Sequence, residues 1–243
     1  MGGRGCAPVR RMGRVLFAVG AAALVTQARA DSSAGRWLRV GADERPAIVY
    51  APLLEVDAKK PVIVMLHGMC DTPENECNAF HPAATSEGFL VCPRANGACG
   101  NGGAMWRGSP ESKRALVDDS LAALSTEFGA SAVTDHDATL IGFSQGAYLA
   151  VDMIKRSKGP WSSLILIGAS IDIDARSLRE AGIKRVLLAA GDYDGARPAM
   201  QRAAASLVQA GFDAKFTSLG PVGHQFAFDM NAWMKDALAW VRQ

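Results

Sequence analysis

The chain lacks an apolar run long enough to cross a bilayer. Its stretch VLFAVGAAALV, Val15 to Val25, has 11 residues, about half of the roughly 20 that a spanning helix requires. No stable membrane span is therefore expected. Internal repeats, low-complexity tracts and an interdomain linker are also missing, which excludes a repeat architecture and argues for one domain. Short Cys/His knuckles are absent too. The cysteines fall in two C-x6-C spacings with no histidine at a matching interval, so a zinc site is not expected and the metal assignment is none.

What the chain does carry begins with a leader. Arg4, Arg10, Arg11 and Arg14 precede the 11-residue apolar run, and Ala28-Arg29-Ala30 follows it. That order is a secretory signal peptide with an A-x-A cleavage site, so residues 1–30 are assigned to the leader and 31–243 to the domain. The pair Arg10-Arg11 hints at twin-arginine export, but Met12-Gly13-Arg14 is not the hydrophobic continuation such signals carry, which favours general secretion. Met12 is an alternative start. Of the 26 basic residues five leave with the leader, so 21 remain against 24 acidic ones. The slight basic excess of the full chain belongs to the leader, and no basic cluster is left to bind nucleic acid. The expected location is exported, periplasmic or secreted.

Cys6 leaves with the leader. The other four, Cys70, Cys77, Cys92 and Cys99, form an even set, and with export they imply disulfides. Turn-forming residues inside each C-x6-C interval, DTPENE and PRANGA, favour Cys70 with Cys77 and Cys92 with Cys99.

Along the mature chain, Trp37 to Gly41 and Ala47 to Pro52 read as a strand pair around the turn GADERP. Pro61 to Gly68 (PVIVMLHG) reads as a strand buried on both faces. A helix is expected within Asp71 to Gly88, then a strand at Phe89 to Cys92. From Pro93 to Gly108 the Gly- and Asn-rich chain is expected to form a long loop with no element of its own, and such loops are usually functional. Ser109-Pro110 opens a helix running to Phe128. Further strands are expected at Thr139 to Phe143, Ser163 to Gly168, Val186 to Gly191 and Ala214 to Gly220. Helices separate them, and a last helix spans Gln225 to Val241. Strands alternating with helices define an α/β sheet covered on both faces.

TLIGFSQGAYLAV, Thr139 to Val151, is the stretch with chemistry in it. An apolar strand ends at Gly142-Phe143-Ser144-Gln145-Gly146 and an Ala-rich helix follows. A serine at the apex of so sharp a turn adopts strained angles, tolerable only with small residues two before and two after it. This is a nucleophile elbow, with the Gln145 amide at the helix N-terminus as a hydrogen-bond donor. A serine needs a base, and the base needs an acid. Of the histidines, His224 in LGPVGHQF follows a strand and comes last in the required order of nucleophile, acid, histidine. Asp192 and Asp194 both follow a strand, and periodicity does not separate them; Asp172 and Asp174 are weaker candidates. The chain leaving PVIVMLHG supplies the second oxyanion donor, the amide of Met69. His67 is then an architectural residue that hydrogen-bonds this loop.

Four segments in order, MLHGMCDTPEN, IGFSQGAYLA, AAGDYDGARP and GPVGHQF, resemble the phospholipase/carboxylesterase branch of the α/β-hydrolases, which includes acyl-protein thioesterases. The likeness spans Pro61 to the C-terminus. It implies an α/β-hydrolase fold with a mostly parallel central sheet, helices on both faces and no large lid domain. It implies Met69 and Gln145 as the oxyanion amides, and its G-x-x-D-x-x-x-P pattern on Gly191, Asp194 and Pro198 selects Asp194. Cys70 stands where that branch usually has glycine, and the cysteines are not typical of its cytosolic members.

The expected activity is hydrolysis of carboxylic esters, with thioesters as an extension, by Ser144, Asp194 and His224 through an acyl-enzyme without a cofactor. A small-molecule ester is the expected partner, and nothing in the sequence sets the oligomeric state. Trp106 and Phe80 are candidates to line an acyl or aryl pocket. Alternative readings are an exported polyester depolymerase or feruloyl esterase, a small serine peptidase, and a non-catalytic binding protein on the same fold.

Overall fold

An unbroken apolar run such as Val62-Ile63-Val64-Met65-Leu66 is stable as a strand only where both of its faces are covered, because successive side chains point in opposite directions. That condition organises the molecule. The computed structural model describes residues 35–41, 45–52, 59–100, 102–156 and 158–243, with Met1 and Gly2. The chain divides into two units, Met1–Ala30 and Asp31–Gln243. The leader expected at 1–30 lies, apart from its first two residues, outside the described residues.

In chain order the elements are β1 (Arg36–Val40), β2 (Arg45–Tyr50), β3 (Val62–Leu66), α1 (Pro73–Asn78), α2 (His81–Glu87), β4 (Phe89–Cys92), β5 (Gly97–Ala98), β6 (Ala104–Met105), α3 (Pro110–Phe128), β7 (Ala138–Phe143), α4 (Gln145–Arg156), β8 (Trp161–Ile167), α5 (Ala175–Ala181), β9 (Arg185–Ala190), α6 (Arg197–Gln209), β10 (Asp213–Ser218) and α7 (Met230–Val241). Eight strands form one sheet in the order β1-β2-β4-β3-β7-β8-β9-β10. From β4 to β10 neighbouring strands run parallel, while β1 and β2 are antiparallel additions at one edge.

Two cores lie on the two sides of this sheet. Val62, Val64 and Leu66 of β3 share one with residues of α3, α4, α5 and α6. Ile63 and Met65 point the other way, into a core with residues of α1, α2 and α7. Burying each such side chain contributes about 1.5 to 3 kcal/mol. The parallel strands all end at the same edge, so the loops after β3, β7, β9 and β10 converge there.

The structure departs from the sequence reading in three places. Residues 93–108 are not without structure of their own: Gly97 pairs with Met105 and Ala98 with Ala104 in a short antiparallel ladder. The helix expected within 71–88 is two helices, broken where Phe80 serves as N-cap and Pro82 opens the next one. The last helix starts at Met230 rather than Gln225, because the Asp229 side chain caps it by accepting the Ala232 amide.

Candidate active site

The site grows out of the tip of β7. Ser144 has φ +50°, a left-handed backbone that a residue with a Cβ adopts only when its surroundings impose it. Here they do. Its amide donates to the Ile167 carbonyl of β8 at 2.9 Å, and α4 begins at the next residue. A Cβ on Gly146 would lie 1.8 Å from the Leu66 carbonyl oxygen, and one on Gly142 would lie 2.5 Å from the Gly146 oxygen. The contact of strand with helix therefore depends on both glycines.

The loop after β10 brings His224 to this tip, where Nε2 lies 2.9 Å from Ser144 Oγ. Its Nδ1 lies 2.9 Å from Asp194 Oδ2, and the ring stacks on Phe143 at 5.1 Å between centroids. The Asp194 side chain is 4% exposed, and its other oxygen accepts the Ala196 amide at 2.8 Å. Asp192 faces elsewhere: it accepts the Ser218 hydroxyl at 2.6 Å and pairs with Arg197, and these donors hold its carboxyl below the usual range. Asp174 caps α5, and Asp172 pairs with Lys155 at 3.4 Å. His81 stacks on Tyr50, and His136 sits exposed between Asp135 and Asp137.

Beside the elbow, the chain leaving β3 is tethered around Met69. Ala95 donates its amide to His67 Nε2 at 3.1 Å, so the His67 proton is on Nδ1, which donates to the Gly68 carbonyl at 2.7 Å. Burial, above all, holds this imidazole below its ordinary range and keeps it neutral. The Gly68 carbonyl and the Met69 amide belong to one trans peptide and point in opposite directions. Gripping the carbonyl therefore aims the Met69 N–H. Cys70, whose amide donates to the Ala104 carbonyl at 2.8 Å, has φ +61°. That is the left-handed backbone that favours glycine.

The disulfides differ from the expected pairing. Cys70 is joined to Cys99 and Cys77 to Cys92, with Cα separations of 5.5 and 6.7 Å. Asp71 bridges Ala104, which carries the β5–β6 ladder, and with it Cys99, to Cys70. Packing of α1 on β4 brings Cys77 to Cys92. Each bridge thus joins segments that tertiary contacts had already brought together.

The two aromatic pocket candidates are both buried. Phe80 is 0% exposed, edge-on to Phe226, and Trp106 is 4% exposed with its indole N–H donating to the His67 carbonyl at 2.9 Å. Exposed apolar side chains near the site in sequence are instead Met69, Tyr148, Tyr193 and Phe228. The sequence reading passed over the last three, although they stand within four residues of Ser144, Asp194 and His224 respectively. Among the described residues no group of three or more His, Cys, Asp or Glu is arranged to hold a metal ion, and no helix is long and apolar enough to cross a membrane.

No family model matches the chain, and no curated protein matches it in sequence. Solved structures do resemble it in shape. The esterase PE8 is 23% identical, with a TM-score of 0.60 over 81% of this chain and 98% of that one. A ferulic acid esterase is 16% identical, with a TM-score of 0.65 over 86% of this chain and 97% of its own. A feruloyl esterase module from Clostridium thermocellum, complexed with sinapinate, is 14% identical, with a TM-score of 0.65 over 87% and 89%. The fold is that of the α/β-hydrolases.

Proposed function

We propose that this chain is a serine hydrolase that cleaves carboxylic esters through an acyl-enzyme. The observation that carries the reading is the unbroken row of hydrogen bonds from Asp194 through His224 to Ser144, 2.9 Å at each step. In this row the buried carboxylate fixes the imidazole tautomer, so that Nε2 is the free base facing the hydroxyl. Ser144 Oγ attacks the ester carbonyl as its proton passes to His224 Nε2. The amides of Met69 and Gln145 donate to the oxyanion. When the intermediate collapses, the C–O bond to the alcohol breaks and the alcohol leaves with the proton from His224. Water then attacks the acyl-enzyme, giving its proton to His224 and releasing the acid, and Ser144 recovers its own. The steps use only protein groups and water. Thioesters meet the same machinery, with a thiol leaving.

The substrate is a small-molecule ester with an apolar acyl or aryl part, met by the exposed side chains of Met69, Tyr148, Tyr193 and Phe228. The chain between β8 and β9 carries only the seven-residue α5, with no helical cap there to select long chains. The leader motif and the two disulfides together support an exported, periplasmic or secreted enzyme.

Turnover of p-nitrophenyl esters of increasing acyl length, with fluorophosphonate labelling of the purified mature chain, tests the reading. Expected are labelling at Ser144 and the fastest turnover on short or aryl esters. A chain that neither labels nor turns over any ester is not this enzyme.

A further inference from the structure

One buried acid beneath the site takes no part in the triad. Glu76, on α1, is 2% exposed. Its Oε1 accepts the Gly68 amide at 2.7 Å, while among the described residues no donor reaches Oε2. Its titratable neighbour is Asp71, whose carboxylate already accepts from the Thr72 amide at 2.8 Å and the Asn75 side chain at 2.9 and 3.2 Å. An ionised oxygen buried without a donor beside a second carboxylate is untenable. A proton on Oε2 removes the conflict: it donates to Asp71, and Oε1 stays free to accept from Gly68. Burial first, and then the Asp71 charge, push Glu76 well above the usual carboxylate range, against the lowering effect of the Gly68 amide.

We propose that Glu76, held as a neutral acid against Asp71, is a positioning residue for the oxyanion amide of Met69. The proposal rests on the ester-hydrolase reading above. Gly68 is gripped at both ends, its amide by Glu76 and its carbonyl by His67, and the peptide between Gly68 and Met69 has little freedom left. The other charged groups in this corner are Glu74 of α1 and Arg94 after β4, paired at 3.4 Å, and His67 is neutral. Ionising Glu76 would set a negative charge behind a site that must accept one, and would drive the acid away from Asp71. Activity is therefore expected to fall when Glu76 loses its proton at alkaline pH.

The test compares Glu76→Gln and Glu76→Ala with Ser144→Ala in the disulfide-bonded mature chain, using a short p-nitrophenyl ester and reading kcat, KM and their pH profiles. Glutamine can accept from Gly68 and donate to Asp71 without titrating. Expected are a kcat for Glu76→Gln within about threefold of wild type, with the alkaline loss moved up or abolished, and a kcat for Glu76→Ala at least tenfold lower at nearly unchanged KM. Removing one oxyanion donor outright costs roughly 10² to 10³ in kcat, which bounds the effect. Should the alanine variant not fold, the glutamine pH profile decides. A profile unchanged from wild type at every pH overturns the proposal, as does a glutamine variant as impaired as alanine or an alanine variant with wild-type kcat. If Ser144→Ala remains active, the ester-hydrolase reading itself has failed, which is a different result.

Discussion

The side chain of Gln145 holds both main-chain groups of Trp106, accepting its amide at 2.9 Å and donating to its carbonyl at 3.2 Å. The residue whose amide is proposed as an oxyanion donor thus also straps the segment around Trp106 to the elbow. Because that segment supplies the Ala104 carbonyl that fixes Cys70, the two amides proposed for the oxyanion are tied to each other. Gln145→Ala keeps the backbone donor but leaves the Trp106 groups unpaired, at a cost of roughly 1 to 3 kcal/mol. Thermal melts should show that loss together with a lowered kcat; wild-type values for both would mean that the strap does not matter.

On the proposed mechanism Ser144→Ala removes the group that forms the acyl-enzyme. Ester turnover should drop by about 10³-fold or more, with circular dichroism unchanged and fluorophosphonate labelling lost. Turnover within tenfold of wild type would move the nucleophile elsewhere.

Asp194→Asn should cost far more activity than Asp192→Asn. Only the first meets His224, where an amide would favour the wrong tautomer and leave the imidazolium unsupported; the second loosens the contacts to Arg197 and Ser218. Kinetics on the two variants settle the ranking, and the reverse order would reassign the acid.

Peptide mapping of the native protein should find Cys70 with Cys99 and Cys77 with Cys92. The bridges span 29 and 15 residues, and on the chain-entropy model they stabilise by about 3.5 and about 3 kcal/mol. The Cys70 bridge adjoins Met69, so opening it by Cys70→Ser with Cys99→Ser should lower kcat more than opening the other. Four free thiols in the native protein would rule out this arrangement.

Acid should act through His67. Its lowered titration means that the native state binds fewer protons there than the unfolded chain. Its contribution to stability is present above the unfolded value of about 6.5 and is lost as pH falls through the lowered folded value. Between pH 7 and 4 the Tm of wild type should fall more steeply than that of the non-titrating His67→Gln. Equal slopes would show that His67 is not the group responsible.

The elbow and the layered sheet were legible in the sequence because both rest on local rules. Strain at Ser144 requires small residues two places to either side, and Val62 to Leu66 can be covered on both faces only in a sheet with helices on each side. The histidine that meets Ser144 was legible too, since chain order places His224 after the last strand. Glu76 left no signal, because an acid near the start of a short helix reads as an exposed residue until its neighbours bury it. Reading the residues alone left Asp192 and Asp194 open; the resemblance selected Asp194, and the folded loops after β9 and β10 put that residue, and not the other, beside His224. The cysteine pairing was misjudged because nearness along the chain was taken for nearness in space. The contact of α1 with β4 and the bridge between Asp71 and Ala104 join residues far apart in sequence, and only the packed tertiary structure brings those partners within reach.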